Sequence, residues 1–315
     1  MVWIFFHCIY AGSTNVVVAT HLYYISTTRN MYTRIVCTYL LICAAVLCGC
    51  KDTFNKHEEF KNPTGYSLEK PYKISLPLEL DEISGIVYHA EDTSVFAIND
   101  EQGWLYKIYP NHPQNTEKWR FYKGEDFEDL YLLNNNFYAL QSNGNIVEFK
   151  FNGNSSVTVQ ENRFPFGKSE FESIYYDTAL QKLMIICKDC ESDKKKALSL
   201  FTFDPQTNQY DFAPFNIDVK KVARSLGEKS MKFKPSAAAI HPITGNLYII
   251  SAINNLLLVT DKAGNMVEAV EINPGLFKQP EGICFTPSGT MIISNESADI
   301  GLANLLIYKY QPQVK

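Results

Sequence analysis

One pattern of apolar and polar positions recurs five times along this chain. An acidic or small residue opens a short apolar run, a turn follows, and a second apolar run ends in Asn, Asp, Glu or Ser. The copies are Glu82-Ile-Ser-Gly-Ile-Val-Tyr-His with Phe96-Ala-Ile-Asn-Asp-Glu101, Glu128-Asp-Leu-Tyr-Leu-Leu with Tyr138-Ala-Leu-Gln-Ser-Asn143, and Glu172-Ser-Ile-Tyr-Tyr-Asp with Met184-Ile-Ile-Cys-Lys-Asp189. Ser236-Ala-Ala-Ala-Ile-His with Tyr248-Ile-Ile-Ser-Ala252, and Glu281-Gly-Ile-Cys-Phe-Thr with Ile292-Ile-Ser-Asn-Glu296, complete the set. Their first residues lie 46, 44, 64 and 45 residues apart, and about 40–50 residues is the length of a four-stranded propeller blade.

After each pair of apolar runs come two more short apolar segments around a turn, such as Leu256 to Val259, Asp261-Lys-Ala-Gly-Asn265 and Val267 to Ile272. Turns rich in Asn, Asp and Gly suit the hairpins between outer strands. The last copy has room for only one of these, Leu305-Leu-Ile-Tyr-Lys-Tyr310, while Tyr72-Lys-Ile-Ser-Leu76 precedes the first copy and has outer-strand alternation. The pattern therefore predicts an all-β, five-bladed propeller over residues 68–315, closed by its N-terminal strand, which removes the exposed edges of an open array. The 64-residue interval contains apolar residues at 217, 219, 222, 223 and 226, a helical spacing read as an insertion. A sixth blade hidden in that interval is the alternative.

Residues 31 to 50 break the pattern. A start with Arg34, an apolar core too short for an ordinary membrane span and a small-residue end make 31–49 a secretory signal. Its end, Leu47-Cys-Gly-Cys50, resembles the lipobox of bacterial lipoproteins, which implies lipidation of Cys50 and attachment to a membrane of the bacterial cell envelope. Residues 1–30 then read as an upstream extension that is not native, with Met31 the expected start, and 50–67 as the lipidated cysteine and a flexible tether. The first fifty residues hold two arginines and no acid, leaving 27 basic against 34 acidic residues. That acidic body argues against nucleic acid as a partner; the expected partners are the membrane and an unknown ligand or envelope protein, with the chain itself monomeric.

Cys187-Lys-Asp-Cys190 ends an inner strand and admits a redox pair, half of a zinc site, a local disulfide or free thiols. No further Cys or His clusters nearby, which favours the last two over zinc. Cys284 lies in an apolar strand and reads as core. His89 and His241 share a repeat position at the turn after the inner strand and read as turn residues; no G-x-S-x-G elbow or phosphate-binding glycine loop is present.

The start of each inner strand and the end of the next lie at one end of a blade. The repeat thus gathers Glu82, Asn99, Asp100, Glu128, Asn143, Glu172, Glu281, Asn295 and Glu296 around one mouth of the channel, with Glu101, Asp129 and Asp189 beside them. Converging carboxylates repel, and a cation or a cationic or polyhydroxyl ligand relieves the cost. All-oxygen donors favour Ca2+ or Mg2+. Capped turns and a wet structural channel are the competing explanation.

The phrases Glu82-Ile-Ser-Gly-Ile, Phe96-Ala-Ile-Asn-Asp-Glu101, Phe127-Glu-Asp-Leu130, Phe171-Glu-Ser-Ile174 and Gln279-Pro-Glu-Gly-Ile283 with Ile293-Ser-Asn-Glu296 resemble the SdiA-regulated family of bacterial β-propellers. The resemblance spans residues 68–315 and implies a secreted or membrane-attached protein, without defining an activity. A looser similarity reaches the calcium-dependent propeller hydrolases of the senescence-marker and gluconolactonase group. It implies a channel cation held by residues such as Glu281, Glu82, Asn99, Asn143 and Asn295, with Asp100 or Asp189 as the catalytic carboxylate, although that group has six blades. Two functions follow: a lipid-anchored propeller that binds a ligand or partner at its acidic mouth without turnover, and a metal-dependent hydrolase of a lactone or phosphoester.

Overall fold

Among the described residues there are twenty strands, and each blade buries its apolar second strand and exposes most of its outermost one. The computed structural model describes residues 60–190, 193, 197–297 and 301–312; the signal segment, Cys50 and the tether as far as residue 59 lie outside them. Strand β1 spans Tyr72–Ser75. Blade 1 contains β2 (Ile83–His89), β3 (Ser94–Asn99), β4 (Trp104–Ile108) and β5 (Glu117–Arg120). Blade 2 contains β6 (Phe127–Leu133), β7 (Asn136–Gln141), β8 (Ile146–Phe151) and β9 (Ser156–Asn162). Blade 3 contains β10 (Glu170–Asp177), β11 (Lys182–Asp189), β12 (Leu200–Asp204) and β13 (Gln209–Phe212), and blade 4 contains β14 (Ala237–Ile240), β15 (Leu247–Ser251), β16 (Leu256–Thr260) and β17 (Met266–Glu271).

Blade 5 takes β18 (Pro280–Phe285), β19 (Met291–Asn295) and β20 (Asn304–Tyr308) from the C-terminal part of the chain and its fourth strand from β1. Tyr72 pairs with Ile307 and Ser75 with Asn304, antiparallel. The closure expected for the Tyr72–Leu76 segment is thus observed, and the blades number five. The packed arm reaches further back than residue 68, since Tyr66 and Leu68 are both buried and the Tyr66 hydroxyl donates to the Gly289 carbonyl.

Second strands such as β3 and β15 are buried along their whole length because both of their faces pack against neighbouring blades. Outer strands such as β9 and β13 are largely exposed, which is why their sequences are the most polar. The core divides into five apolar clusters, one for each joint between neighbouring blades. The closing joint joins Ile74, Leu305 and Ile292 of blade 5 to Ile86, Val95 and Tyr106 of blade 1. Fully burying each such aliphatic side chain stabilises by about 1.5–3 kcal/mol, so closure is driven by the same packing as every other joint.

The long interval holds a helix, not a sixth blade. Helix α1 (Val219–Ser225) is capped by Asp218, whose Oδ1 accepts the backbone N–H groups of Lys220 at 3.0 Å and Lys221 at 3.2 Å. Val219 and Val222 bury against the joint between blades 3 and 4. No helix of the described residues is long and apolar enough to cross a membrane.

The inner strands approach one another closely enough to need glycine. A Cβ on Gly85 of β2 would lie 2.5 Å from the Cα of Asp129 and the backbone N of Leu130 on β6. One on Gly282 of β18 would lie 2.7 Å from the Ser84 carbonyl on β2. Asp129 itself ties β6 to β10: its Oδ1 accepts the Leu130 N–H and its Oδ2 the Ile174 N–H, both at 2.8 Å. These contacts form a belt that ties the inner strands of blades 5, 1, 2 and 3 to one another.

Candidate functional site at the channel mouth

Four of the five inner strands carry an irregularity near their start, and in three of them it places an acidic residue at the mouth. The register shifts between Phe127 and Asp129, between Phe171 and Ser173, and between Pro280 and Gly282, so Glu128, Glu172 and Glu281 are the extra residues of β-bulges. A bulge leaves one residue out of the ladder and re-aims its side chain. In blade 1 the shift lies between Ile83 and Ile86, so Ser84, not Glu82, occupies the position of Glu128. Ser236 holds it in blade 4, where its backbone N–H donates to the Ile250 carbonyl and its Oγ accepts the Ala252 N–H. The first ring around the mouth is therefore Ser84, Glu128, Glu172, Ser236 and Glu281.

A second ring comes from the residues that follow the paired ends of the second strands. Ile83 pairs with Asn99, Phe127 with Gln141, Phe171 with Cys187 and Pro280 with Asn295. The next residues are Asp100, Ser142, Lys188 and Glu296, and in blade 4 Ala252. Lys188 forms an ion pair with buried Glu172. Burial on its own would lower the lysine, but the charges of Glu172, Glu128 and Glu281 raise it, so it stays an ammonium.

The carboxyls around it resist ionisation. Burial, then the Glu172 charge, pushes Glu128 up to about 9 against the opposing pull of Lys188, with Glu281 and Asp100 adding to the rise. Glu281 is pushed up to about 8 by burial and by Glu172 and Asp100. Glu296 is pushed up to about 8 by burial and the neighbouring Glu82. Glu172 is raised by burial despite Lys188, and Asp100 by burial, Glu82 and Glu101. Six carboxyls, Glu82, Asp100, Glu128, Glu172, Glu281 and Glu296, thus share one electrostatic environment.

Of the other expected residues, Asn143 and Asp189 lie beyond the two rings, while Asn99 and Asn295 share one register position beside them. Asn143 is exposed, and its Oδ1 accepts the Asn145 N–H at 2.9 Å within a turn. Asn295 is fully buried, its Nδ2 donates to Asn304 Oδ1 at 3.0 Å and to the Leu276 carbonyl, and its Oδ1, like that of Asn99, has no hydrogen-bond partner. Asp189 pairs with Lys232 at 2.6 Å and Lys234 at 3.2 Å, which hold it below its ordinary range. Asn143 and Asp189 each sit one residue beyond the second ring. Asn99 is buried in the expected place, and its Oδ1, like that of Asp100, has no hydrogen-bond partner.

Cys187 and Cys190 form a disulfide with Cα atoms 6.0 Å apart, one of the two states favoured from sequence. The bridge encloses Lys188 and Asp189 and sends the lysine to Glu172 and the aspartate to Lys232 and Lys234. Lys188 escaped the sequence reading, although it is the basic residue among the acidic and small ones at that repeat position. Cys284 is buried as expected. His89 ends β2 and contacts Asp92 at 2.8 Å, and buried His241 accepts the Thr244 N–H at 3.1 Å, both at turns.

A divalent cation fits this donor set poorly. Among the described residues, the set of three Cys, His or acidic side chains whose ligand atoms converge within 4.8 Å is Cys187, Cys190 and Asp193, away from the mouth carboxyls and tied up by the disulfide. The counter-charge within the mouth is the Lys188 ammonium.

Several solved structures of low identity are similar to this chain. The chain is 16% identical to a glutaminyl cyclase from Myxococcus xanthus, covering 79% of this chain and 99% of that one with a TM-score of 0.53. A luciferin-regenerating enzyme matches at 10% identity, covering 78% and 98% with a TM-score of 0.47. A PQQ-bound aldose sugar dehydrogenase from Streptomyces coelicolor matches at 10%, covering 79% and 99% with a TM-score of 0.48. No curated protein matches the sequence. The family model described as SdiA-regulated matches residues 65–298, the greater part of the propeller, and this chain belongs to that family.

Proposed function

We propose that this protein is a lipid-anchored propeller of the bacterial cell envelope whose acidic channel mouth binds a cationic or polyhydroxylated ligand, or a basic segment of an envelope protein, without turnover. The observation that carries the reading is the cluster of buried carboxyls around Lys188, raised to about 8 and 9 at Glu281 and Glu128. Carboxyls held neutral by burial and mutual repulsion ionise when a positive ligand arrives, and when protonated they offer O–H donors and carbonyl acceptors to hydroxyl groups. The orphaned Oδ1 atoms of Asn99 and Asp100 add acceptors at the same end. Ca2+ or Mg2+ is a competing occupant, which would have to compete with the Lys188 ammonium.

A hydrolase of a lactone or phosphoester is the second reading, and Asp100 favours it: its raised carboxyl and partnerless oxygen suit a general base better than lysine-paired Asp189. Thermal unfolding of the wild-type protein and of Glu128→Gln/Glu281→Gln with spermidine, glucose, CaCl2 or MgCl2 tests the binding reading. A stabilisation by spermidine or glucose that the variant loses is expected; the same small shift in both proteins would sink it. Turnover of an ester or lactone panel that Asp100→Asn abolishes would establish the hydrolase instead. Anchoring is tested by labelling cells with an alkyne fatty acid, which should mark the protein and fail to mark Cys50→Ala.

A further inference from the structure

The channel end opposite the acidic mouth holds a cavity of about 350 Å³ to which all five inner strands contribute. Its origin is a single departure in the repeat. At the position two residues after the bulge, four blades place Ile86, Leu130, Ile174 and Ile283, whereas blade 4 places Ala238. A large aliphatic side chain replaced by alanine in a packed ring leaves volume that the neighbours fill only in part. The cavity falls in the size range of small-molecule sites, roughly 300–1,000 Å³.

The chemistry of the lining differs from the mouth in sign and kind. No lysine, arginine, histidine or glutamate contributes to it. Asp129 reaches its floor, but both carboxyl oxygens are engaged by backbone N–H groups, and burial holds the carboxyl well above its ordinary range. Nearer the opening, Tyr131 and Tyr176 stack with centroids 6.1 Å apart, and Tyr88 stands on blade 1. Among the described residues none accepts from or donates to these three hydroxyls. None of the three hydroxyls is a buried atom without a partner, so they face the opening beside the aliphatic floor and can donate to a ligand in place of water.

We infer that this second end of the channel is a binding site for an uncharged, largely apolar small molecule carrying hydrogen-bond acceptors, separate from the acidic mouth and independent of what the mouth binds. The apolar body sits on the aliphatic ring in the space left by Ala238, and the acceptors meet the phenols of Tyr88, Tyr131 and Tyr176.

The test is a fluorescence titration of the protein with Nile red, an uncharged aromatic probe that carries a carbonyl acceptor and brightens on leaving water. The wild type should show saturable brightening. Ala238→Ile, which restores the side chain that three other blades carry, should weaken it at least about tenfold in Kd, and Ala90→Trp at the exposed rim should weaken it as well. Glu128→Gln/Glu281→Gln at the other end should leave it unchanged. Absence of saturable brightening in the wild type would overturn the inference, as would wild-type affinity in Ala90→Trp, a surface change that leaves folding intact even if Ala238→Ile does not.

Discussion

The two ends of the channel are made by the same five inner strands, yet one is acidic and the other apolar. At the mouth, bulges lift Glu128, Glu172 and Glu281 out of the ladder. A few residues further on, the regular ladder resumes, and Ile86, Leu130, Ile174 and Ile283 pack in its place. The belt of Gly85, Asp129 and Gly282 lies between them. The lesson is that a bulge in four of the five inner strands is enough to give the two ends of one channel different chemistry. Propensity alone would run the apolar pattern through the mouth as well.

The sharpest way to break that division is to remove the belt. Asp129→Ala strands the buried N–H groups of Leu130 and Ile174, at roughly 1–3 kcal/mol for each. Urea unfolding should show the midpoint falling further than for any mouth variant, and an unchanged midpoint would mean that Asp129 does not tie β6 to β10. Next in size, Cys187→Ser/Cys190→Ser opens the small ring that fixes Lys188, with an expected loss of about 2 kcal/mol from the closed-loop entropy. The variant should also titrate its mouth carboxyls at higher pH than the wild type, since their counter-charge is less firmly held.

Smaller in effect is the pH dependence of the mouth itself. Glu128, Glu281 and Glu296 have folded-state values above those of the unfolded chain, so the native state binds more protons between about pH 4.5 and 9. Stability therefore falls as pH rises through this window and levels off above it. Glu281→Gln should flatten the slope and exceed the wild type at pH 9 by about 1–2 kcal/mol, read by chemical unfolding at pH 5, 7 and 9. A wild-type profile that rises toward pH 9 would contradict the placement of these carboxyls. Least of all, Asn143→Ala and Asp189→Asn should stay within about 1 kcal/mol of the wild type, because an exposed turn and exposed ion pairs lie outside the two rings.

Much of the architecture was legible because apolar runs report burial directly. The five copies, the N-terminal closing strand Tyr72–Ser75 and the helix at Val219–Ser225 all follow from periodicity. The site was legible only in outline, because bulges shift register without changing composition. Glu82 matches Glu128 by eye, while the pairing of Ile83 with Asn99 gives that place to Ser84. The same one-residue ambiguity at the other strand directed attention to Asn143 and Asp189 and past Lys188. Asn295 shows a second limit: its amide nitrogen bonds strand neighbours while its Oδ1 stays without a partner, a division of one side chain that composition does not reveal. The cavity at Ala238 was hidden because a missing side chain leaves no positive signal in a run of small apolar residues.

As proposed, the mouth stores protons on buried carboxyls that a positive ligand would displace. Isothermal titration of spermidine into the protein at pH 7.5, repeated in buffers of different ionisation enthalpy, measures this directly. The account predicts saturable binding with net proton release, both lost in Glu128→Gln/Glu281→Gln. Absence of binding, or binding that releases no proton and persists in the variant, would contradict it.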